Sequence, residues 1–341
     1  MISTSSHWND NQEDQKSAPF LLKPVGKDYI WGGQRLNFDF AKNINMDPLA
    51  ETWECSTHED GLSIVASGEH AGLTLKRVLE MHPEYVGLHP KTRSDIPILI
   101  KLIDAKQDLS VQVHPDDDYA FVNENGQLGK SEMWYVLDAS PDAKLVYGLH
   151  HSISREDFLE SLVNGKAEIH LQKIPVKEND VFFIKAGTIH AIGKGALIAE
   201  IQEKSNLTYR LYDYDRVDKN GNKRELHIKK GLDVARLDAT DEPDQPMRVL
   251  RYEPGCAKEL LCRCKYFQVE RLLVNTDRHK EMVKYYADDF SFKVLLCVNG
   301  CGTIFWGDHS LKFFKGDCIF VPANSVIMKI HGRAHFLSIN C

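Results

Sequence analysis

Short apolar runs that alternate with polar residues and stop at Gly, Asp, Asn or Pro recur along the chain, the punctuation of an all-β protein. Residues 110–114 alternate until Pro115, residues 132–137 are rich in β-formers and end before Asp138, and residues 181–184 form an apolar run between Asp180 and Gly187. Helical spacing is rarer. It predicts helices over residues 73–88, 116–124, a stretch opened by the capping residues Ser154-Arg155-Glu156-Asp157, and 224–237.

Two stretches repeat one pattern. With Asp180 aligned on Asp317, both show a turn, a four-residue apolar strand, a second turn and another apolar strand. Upstream, residues 134–140 match residues 295–302. This predicts a duplicated β-barrel unit: a polar, disordered tail over 1–18, a first unit over 19–240, and a second over 245–341. The acidic, Pro-bearing segment 238–246 is the linker.

The chain has 341 residues, enough for roughly two units of ~150 residues. A net charge of −7, with no dense block of Lys and Arg, argues against a general nucleic-acid binder. Seven of the eight cysteines follow residue 250, none in a CxxC pair, and they read as buried reduced thiols. The first 18 residues lack the basic start and apolar stretch of a signal peptide, and no apolar run reaches membrane-spanning length, so a cytoplasmic location without a membrane partner is expected.

The chemistry concentrates in the first unit. Gln112 and His114 are two apart on a predicted strand and leave the same face. Glu132 opens the next strand, and His190 follows the turn after Asp180. Two imidazoles and a carboxylate suit zinc or another first-row divalent metal. The duplicate offers no such set: Ile327 stands at the position of His190, and Phe292-Lys293 at that of Glu132. His309, His331 and His335 do not recreate the spacing and read as surface or packing residues.

Gln112-Val113-His114-Pro115, Gly129-Lys130-Ser131-Glu132-Met133-Trp134-Tyr135, Ala186-Gly187-Thr188-Ile189-His190, and Glu200 through Arg210 to Asp213 resemble the cupin superfamily and, within it, the short bacterial form of type I mannose-6-phosphate isomerase. Trp31-Gly32-Gly33 and Glu51-Thr52-Trp53-Glu54 agree with that family's N-terminal motifs. The resemblance implies a mainly β fold of two cupin-like (jelly-roll) barrels with a few helices. It implies one zinc ion per chain on Gln112, His114, Glu132 and His190, and a small-molecule sugar phosphate as partner. The implied reaction interconverts mannose 6-phosphate and fructose 6-phosphate through a cis-enediol. Arg210 matches the family's active-site Arg, its competing role being an ion pair with Asp213 or Asp215. Lys130 serves as phosphate ligand or base, Glu200 is the other base candidate, and Trp31 walls the sugar pocket. A non-haem iron cupin dioxygenase and a non-enzymatic sugar-binding cupin are the alternative readings.

Overall fold

The computed structural model describes residues 16–89, 95–218, 220–243, 248–279 and 281–341. Its β strands fall into three large sheets, all antiparallel, and a small two-stranded one. Two of the large sheets face each other in the first unit. One has six strands in the order Val181–Ile184, Glu132–Ala139, Ala196–Glu203, Ile98–Asp104, Glu51–Cys55 and Val25–Lys27. The other has five: Leu171–Pro175, Lys144–Leu149, His190–Ile192, Val111–Val113 and Tyr209–Tyr212. The third, ten-stranded sheet forms the second unit, built mainly on the long strands Lys293–Trp306 and Met328–Asn340, and takes in Phe20–Lys23 and Ile64–Val65 from the N-terminal part of the chain. The molecule is mainly β with a few short helices, a pair of cupin-like barrels.

The six-stranded sheet is buried on both faces, which explains why Ile98–Asp104 reads as a nearly continuous apolar run. Ile98, Ile100 and Leu102 turn outward with Met133, Tyr135, Ala199 and Ile201, and pack against Val294, Leu296, Leu337 and Ile339 of the second unit. Ile103, Trp134, Val136 and Ile198 turn into the first barrel. The period-two alternation thus sends Lys101, Glu132 and Glu200 inward. On the far side, the five-stranded sheet is covered by the helices Arg155–Val163 and Ile228–Val234, through Phe158, Leu162 and Leu232.

The two units repeat one set of bonds. Asp180 and Asp317 each close a turn by accepting from the amide three residues back, Lys177 at 3.0 Å and Phe314 at 2.8 Å. Their own carbonyls accept from Val136 at 3.0 Å and Cys297 at 2.8 Å. The strand registers run on in step, Ile184 opposite Glu132 and Val321 opposite Lys293. Lys293 therefore stands where the first unit has its carboxylate.

The helices differ from their expected bounds in instructive ways. The 73–88 stretch is an α-helix, Leu75–Met81, and a 3-10 turn, Pro83–Val86, because Pro83 cannot continue the α-helical bonding. The 116–124 and 154-onward helices are Asp117–Asn123 and Arg155–Val163, with Asp116 and Ser154 as N-caps. The 224–237 stretch is helical only over Ile228–Val234, because residues 224–227 are drawn to the strand beside them, where the His227 amide donates to the Arg210 carbonyl at 2.8 Å. The helix Arg35–Phe40 was not expected.

Of the 1–18 segment only residues 16–18 are described, and Ser17 forms a bridge to Ser325. The strand Phe20–Lys23 pairs with Cys318–Val321 of the second unit. Within the 238–246 stretch, residues 244–246 lie outside the described residues, while the Thr240 amide donates to the Leu149 carbonyl at 2.8 Å. Among the described residues no helix is long and apolar enough to cross a membrane.

Candidate active site

The strand Val111–Val113 stops at Pro115, which has no amide proton for the ladder, and His114 sits at its end. The His114 carbonyl accepts from the Gly187 amide at 2.8 Å, which brings the turn before His190 alongside. Gly187 has φ +86°, and a Cβ there would meet the Val234 carbonyl at 2.9 Å, so both conformation and space favour glycine. His190 then pairs with Gln112 across the five-stranded sheet. Glu132 opens its strand in the facing sheet. Two strand ends of one sheet and one of the other therefore meet inside the barrel.

One ligand atom from each of His114, Glu132 and His190 lies within 4.8 Å of the others, and all three side chains are buried. His114 Nε2 is 3.6 Å from Glu132 Oε2, and His190 Nε2 is 3.4 Å from Glu132 Oε1. His190 Nδ1 lies 2.8 Å from the Thr188 carbonyl. That contact requires the proton on Nδ1 and leaves the Nε2 lone pair facing Glu132, the arrangement of a metal-binding imidazole. Burial pushes His190 down to about 4 and His114 well below the usual imidazole range, so both rings are neutral near pH 7. Neither carboxylate oxygen of Glu132 has an aligned hydrogen-bond donor, although Lys130 Nζ stands 2.8 Å from Oε2. Two neutral imidazoles and a buried carboxylate without hydrogen bonds fit a divalent cation. The Gln112 amide lies 3.5 Å from His190 Nε2, within reach as a further ligand.

A polar cavity of about 230 Å³ opens beside this cluster, lined by Gln112, Lys130, Glu200, Arg210 and Trp31 among others. Lys130 reaches it from the loop before the strand. The strand starts at Glu132, yet Lys130, held by its amide to the Pro115 carbonyl at 2.9 Å, places Nζ 3.1 Å from His114 Nε2. Glu200 accepts from Trp134 Nε1 at 3.0 Å and lies 3.2 Å from Lys101 Nζ and 3.9 Å from Lys130 Nζ. Burial alone would raise its pKa, but the two ammonium groups outweigh burial and hold it below the usual carboxylate range. Glu132, buried and beside Glu200, is pushed up to about 7.

Trp31 is buried and stacks on Tyr29, with ring centroids 5.6 Å apart. The glycines after it permit this placement, since a Cβ on Gly32 would come within 2.4 Å of Ala50 Cβ. Arg210 lines the cavity and donates from Nη1 to the Glu225 carbonyl at 2.8 Å. The competing ion pairs are not made: Asp213 binds Arg216 and Arg224, and Asp215 binds Lys223. Sequence reasoning missed Lys101, Glu51, Tyr29 and Arg224, which also line the cavity. Lys101 alone had a visible signal, a single ammonium in the middle of the apolar run 98–103.

A family profile described as "Phosphomannose isomerase type I, catalytic domain" matches residues 20–137. Mannose-6-phosphate isomerase ManA of Bacillus subtilis is 37% identical over 321 residues, 93% of this chain and 97% of that protein. The chain belongs to the type I phosphomannose isomerase family. Its activity is accordingly that of an isomerase. Mannose-6-phosphate isomerase of Streptococcus mutans is 42% identical over 307 residues, 90% of this chain and 93% of its own length. The crystal structure of the mannose 6-phosphate isomerase from Bacillus subtilis superposes with a TM-score of 0.86 at 34% identity, covering 95% of this chain and 99% of that one. Family membership disfavours the dioxygenase and the non-enzymatic cupin readings.

Proposed function

We propose that the chain interconverts mannose 6-phosphate and fructose 6-phosphate, with one zinc ion held by His114, Glu132, His190 and Gln112. The observation that carries this reading is the pair of buried, neutral imidazoles and the buried carboxylate, joined through Gln112 and Lys130 to a cavity whose walls also bear Glu200 and Arg210. A zinc ion bound there would polarise the sugar's carbonyl and hydroxyl oxygens as a Lewis acid.

The remaining work falls to the chain's own side chains. Glu200 is ionised and buried, and its Oε1 has no aligned hydrogen-bond donor, so it is the base that moves the proton between C1 and C2. Lys130, fixed beside Glu132, donates to the oxygen on which charge develops as the cis-enediol forms. Arg210 supplies a permanent positive charge to the anionic substrate and cannot serve as the base. Trp31 is the apolar wall against which the sugar carbons lie. Cys55, Cys256, Cys297 and Cys318 are buried reduced thiols, which supports the cytoplasm as the compartment.

A coupled isomerase assay on metal-analysed protein tests the reading. Turnover is expected to vanish with a chelator and return with zinc, and Glu200→Gln is expected to lose at least about a hundredfold in kcat together with deuterium uptake from solvent at C2. Full turnover after exhaustive metal removal, or an undiminished Glu200→Gln enzyme, would overturn it.

A further inference from the structure

The charges around the cavity are not evenly matched. At its deep end Lys101 lies 3.7 Å from Glu51 and 3.2 Å from Glu200, and Lys130 lies 2.8 Å from Glu132, so each ammonium has a carboxylate in contact. At the other end two guanidiniums, Arg210 and Arg224, line the cavity together. Asp213 takes Arg224 through Nε at 2.7 Å and Nη2 at 2.5 Å, and the same carboxylate also takes Arg216. Arg210 is in ion-pair contact with no carboxylate among the described residues, and its buried Nε has no hydrogen-bond partner. Arg216 and Arg224 thus share one carboxylate and Arg210 has none, leaving two positive charges in excess at this end.

Such an excess is costly in a partly buried site unless the ligand carries the missing charge. The arrangement is also rigid. Asp213 is buried and grips Arg224 along one edge of its fork, which leaves the Nη1 side for another acceptor. Arg210 is held by the Glu225 carbonyl, the residue next to Arg224, and the two guanidiniums are close enough that Arg224 depresses the pKa of Arg210, after burial.

We propose that Arg224, held in place by Asp213, is a specificity-determining residue that together with Arg210 grips the phosphate dianion of the substrate. Lys130, engaged by Glu132 and His114 at the deep end, is then left for the reacting carbons. The proposal rests on the sugar-phosphate isomerase reading and divides its cavity in two: chemistry beside His114 and Glu132, and phosphate at Arg210 and Arg224.

The test compares zinc-loaded wild type, Arg224→Ala and Asp213→Asn. For Arg224→Ala we expect a rise of at least tenfold in KM for mannose 6-phosphate that exceeds any fall in kcat. The inhibition constant of inorganic phosphate should rise alongside it, and the preference for mannose 6-phosphate over unphosphorylated mannose should fall at least tenfold. Asp213→Asn should move all three in the same direction by less, and it supplies the readout if Arg224→Ala does not fold. A preserved preference for the phosphorylated sugar in either folded variant would overturn the proposal and leave the isomerase reading standing. If wild type does not isomerise, the isomerase reading fails instead. Calorimetric titration with inorganic phosphate then decides the site: binding by wild type that weakens tenfold in the variant supports the cradle, and equal binding rejects it.

Discussion

Two carboxyl groups meet beneath the segment that carries Lys130 and Glu132. Glu203 accepts from the Ser131 amide at 2.7 Å, and its own amide donates to the Ser131 carbonyl at 3.1 Å. Asp117 accepts from the Gly129 amide at 3.1 Å and from the Tyr266 hydroxyl at 2.9 Å. Burial and the neighbouring Asp117 push Glu203 up to about 8, so it keeps its proton at neutral pH and donates it to Asp117. In the unfolded chain the same carboxyl ionises near 4.5. The folded state therefore binds the extra proton between those values, and the stability this contributes is complete below pH 4.5 and is lost as pH rises through 8. Glu203→Gln keeps the acceptor for Ser131 and a donor for Asp117 without the ionisation. Its stability in denaturant titrations should exceed wild type by on the order of 2–4 kcal/mol at pH 8 and by nothing near pH 4. A gain independent of pH would show that Glu203 is not the titrating group. At this scale the candidate metal cluster was legible because His, His and Glu at strand ends have few other reasons to coincide. Arg224 was not, because nothing in residues 223–226 announces that Asp213, eleven positions earlier, will turn it toward the cavity.

Among the elements, the helix Arg155–Val163 illustrates what local chemistry secures. Its start was legible in the capping residues, and the Ser154 hydroxyl does accept from the Asp157 amide at 3.1 Å. Its apolar side covers the five-stranded sheet, with Phe158 and Leu162 buried there. Ser154→Ala should lower stability by about 1 kcal/mol while leaving the metal affinity of the barrel within twofold, as measured by denaturant titration and metal competition. A large loss of metal affinity would mean that the helix supports the ligand strands more directly than its position on the outer face implies. The 224–237 stretch shows the opposite case. Its apolar spacing favours a helix throughout, but pairing with the strand that carries Arg210 takes its first turn.

Across the whole molecule, the second unit contributes a wall. Its strands bury the outer face of the six-stranded sheet, the sheet that carries Glu132 and Glu200 on its inner face. Polar ties cross the same boundary. Lys42 Nζ lies 2.7 Å from the fully buried Glu54 and also donates to the Gly316 carbonyl of the second unit. Arg248 donates to the Asn179 carbonyl at 2.8 Å, at the turn preceding the strand beside Glu132. Lys42→Met would leave Glu54 buried without its cation and should cost about 3–5 kcal/mol in a thermal or denaturant melt. Adding Glu54→Gln to that variant should recover a good part of the loss. If the single variant is neutral, the pair is not a tie between the units.

Period-two alternation, turn residues and a ligand-like set of polar residues at strand ends are local properties, and from them the sequence alone determined a mainly β chain of two barrel-like units with a candidate metal site in the first. The sequence put Phe292-Lys293 at the position of Glu132, and the matching turns at Asp180 and Asp317 fix the register on Lys293. Only the tertiary structure decided which charges share a cavity. Lys101, Glu51, Arg210 and Arg224 come from separate strands and a loop, and their meeting depends on how two sheets close over each other. Charge balance is a sum over neighbours in space, and so the excess that points to a phosphate dianion appears only once the barrel is folded.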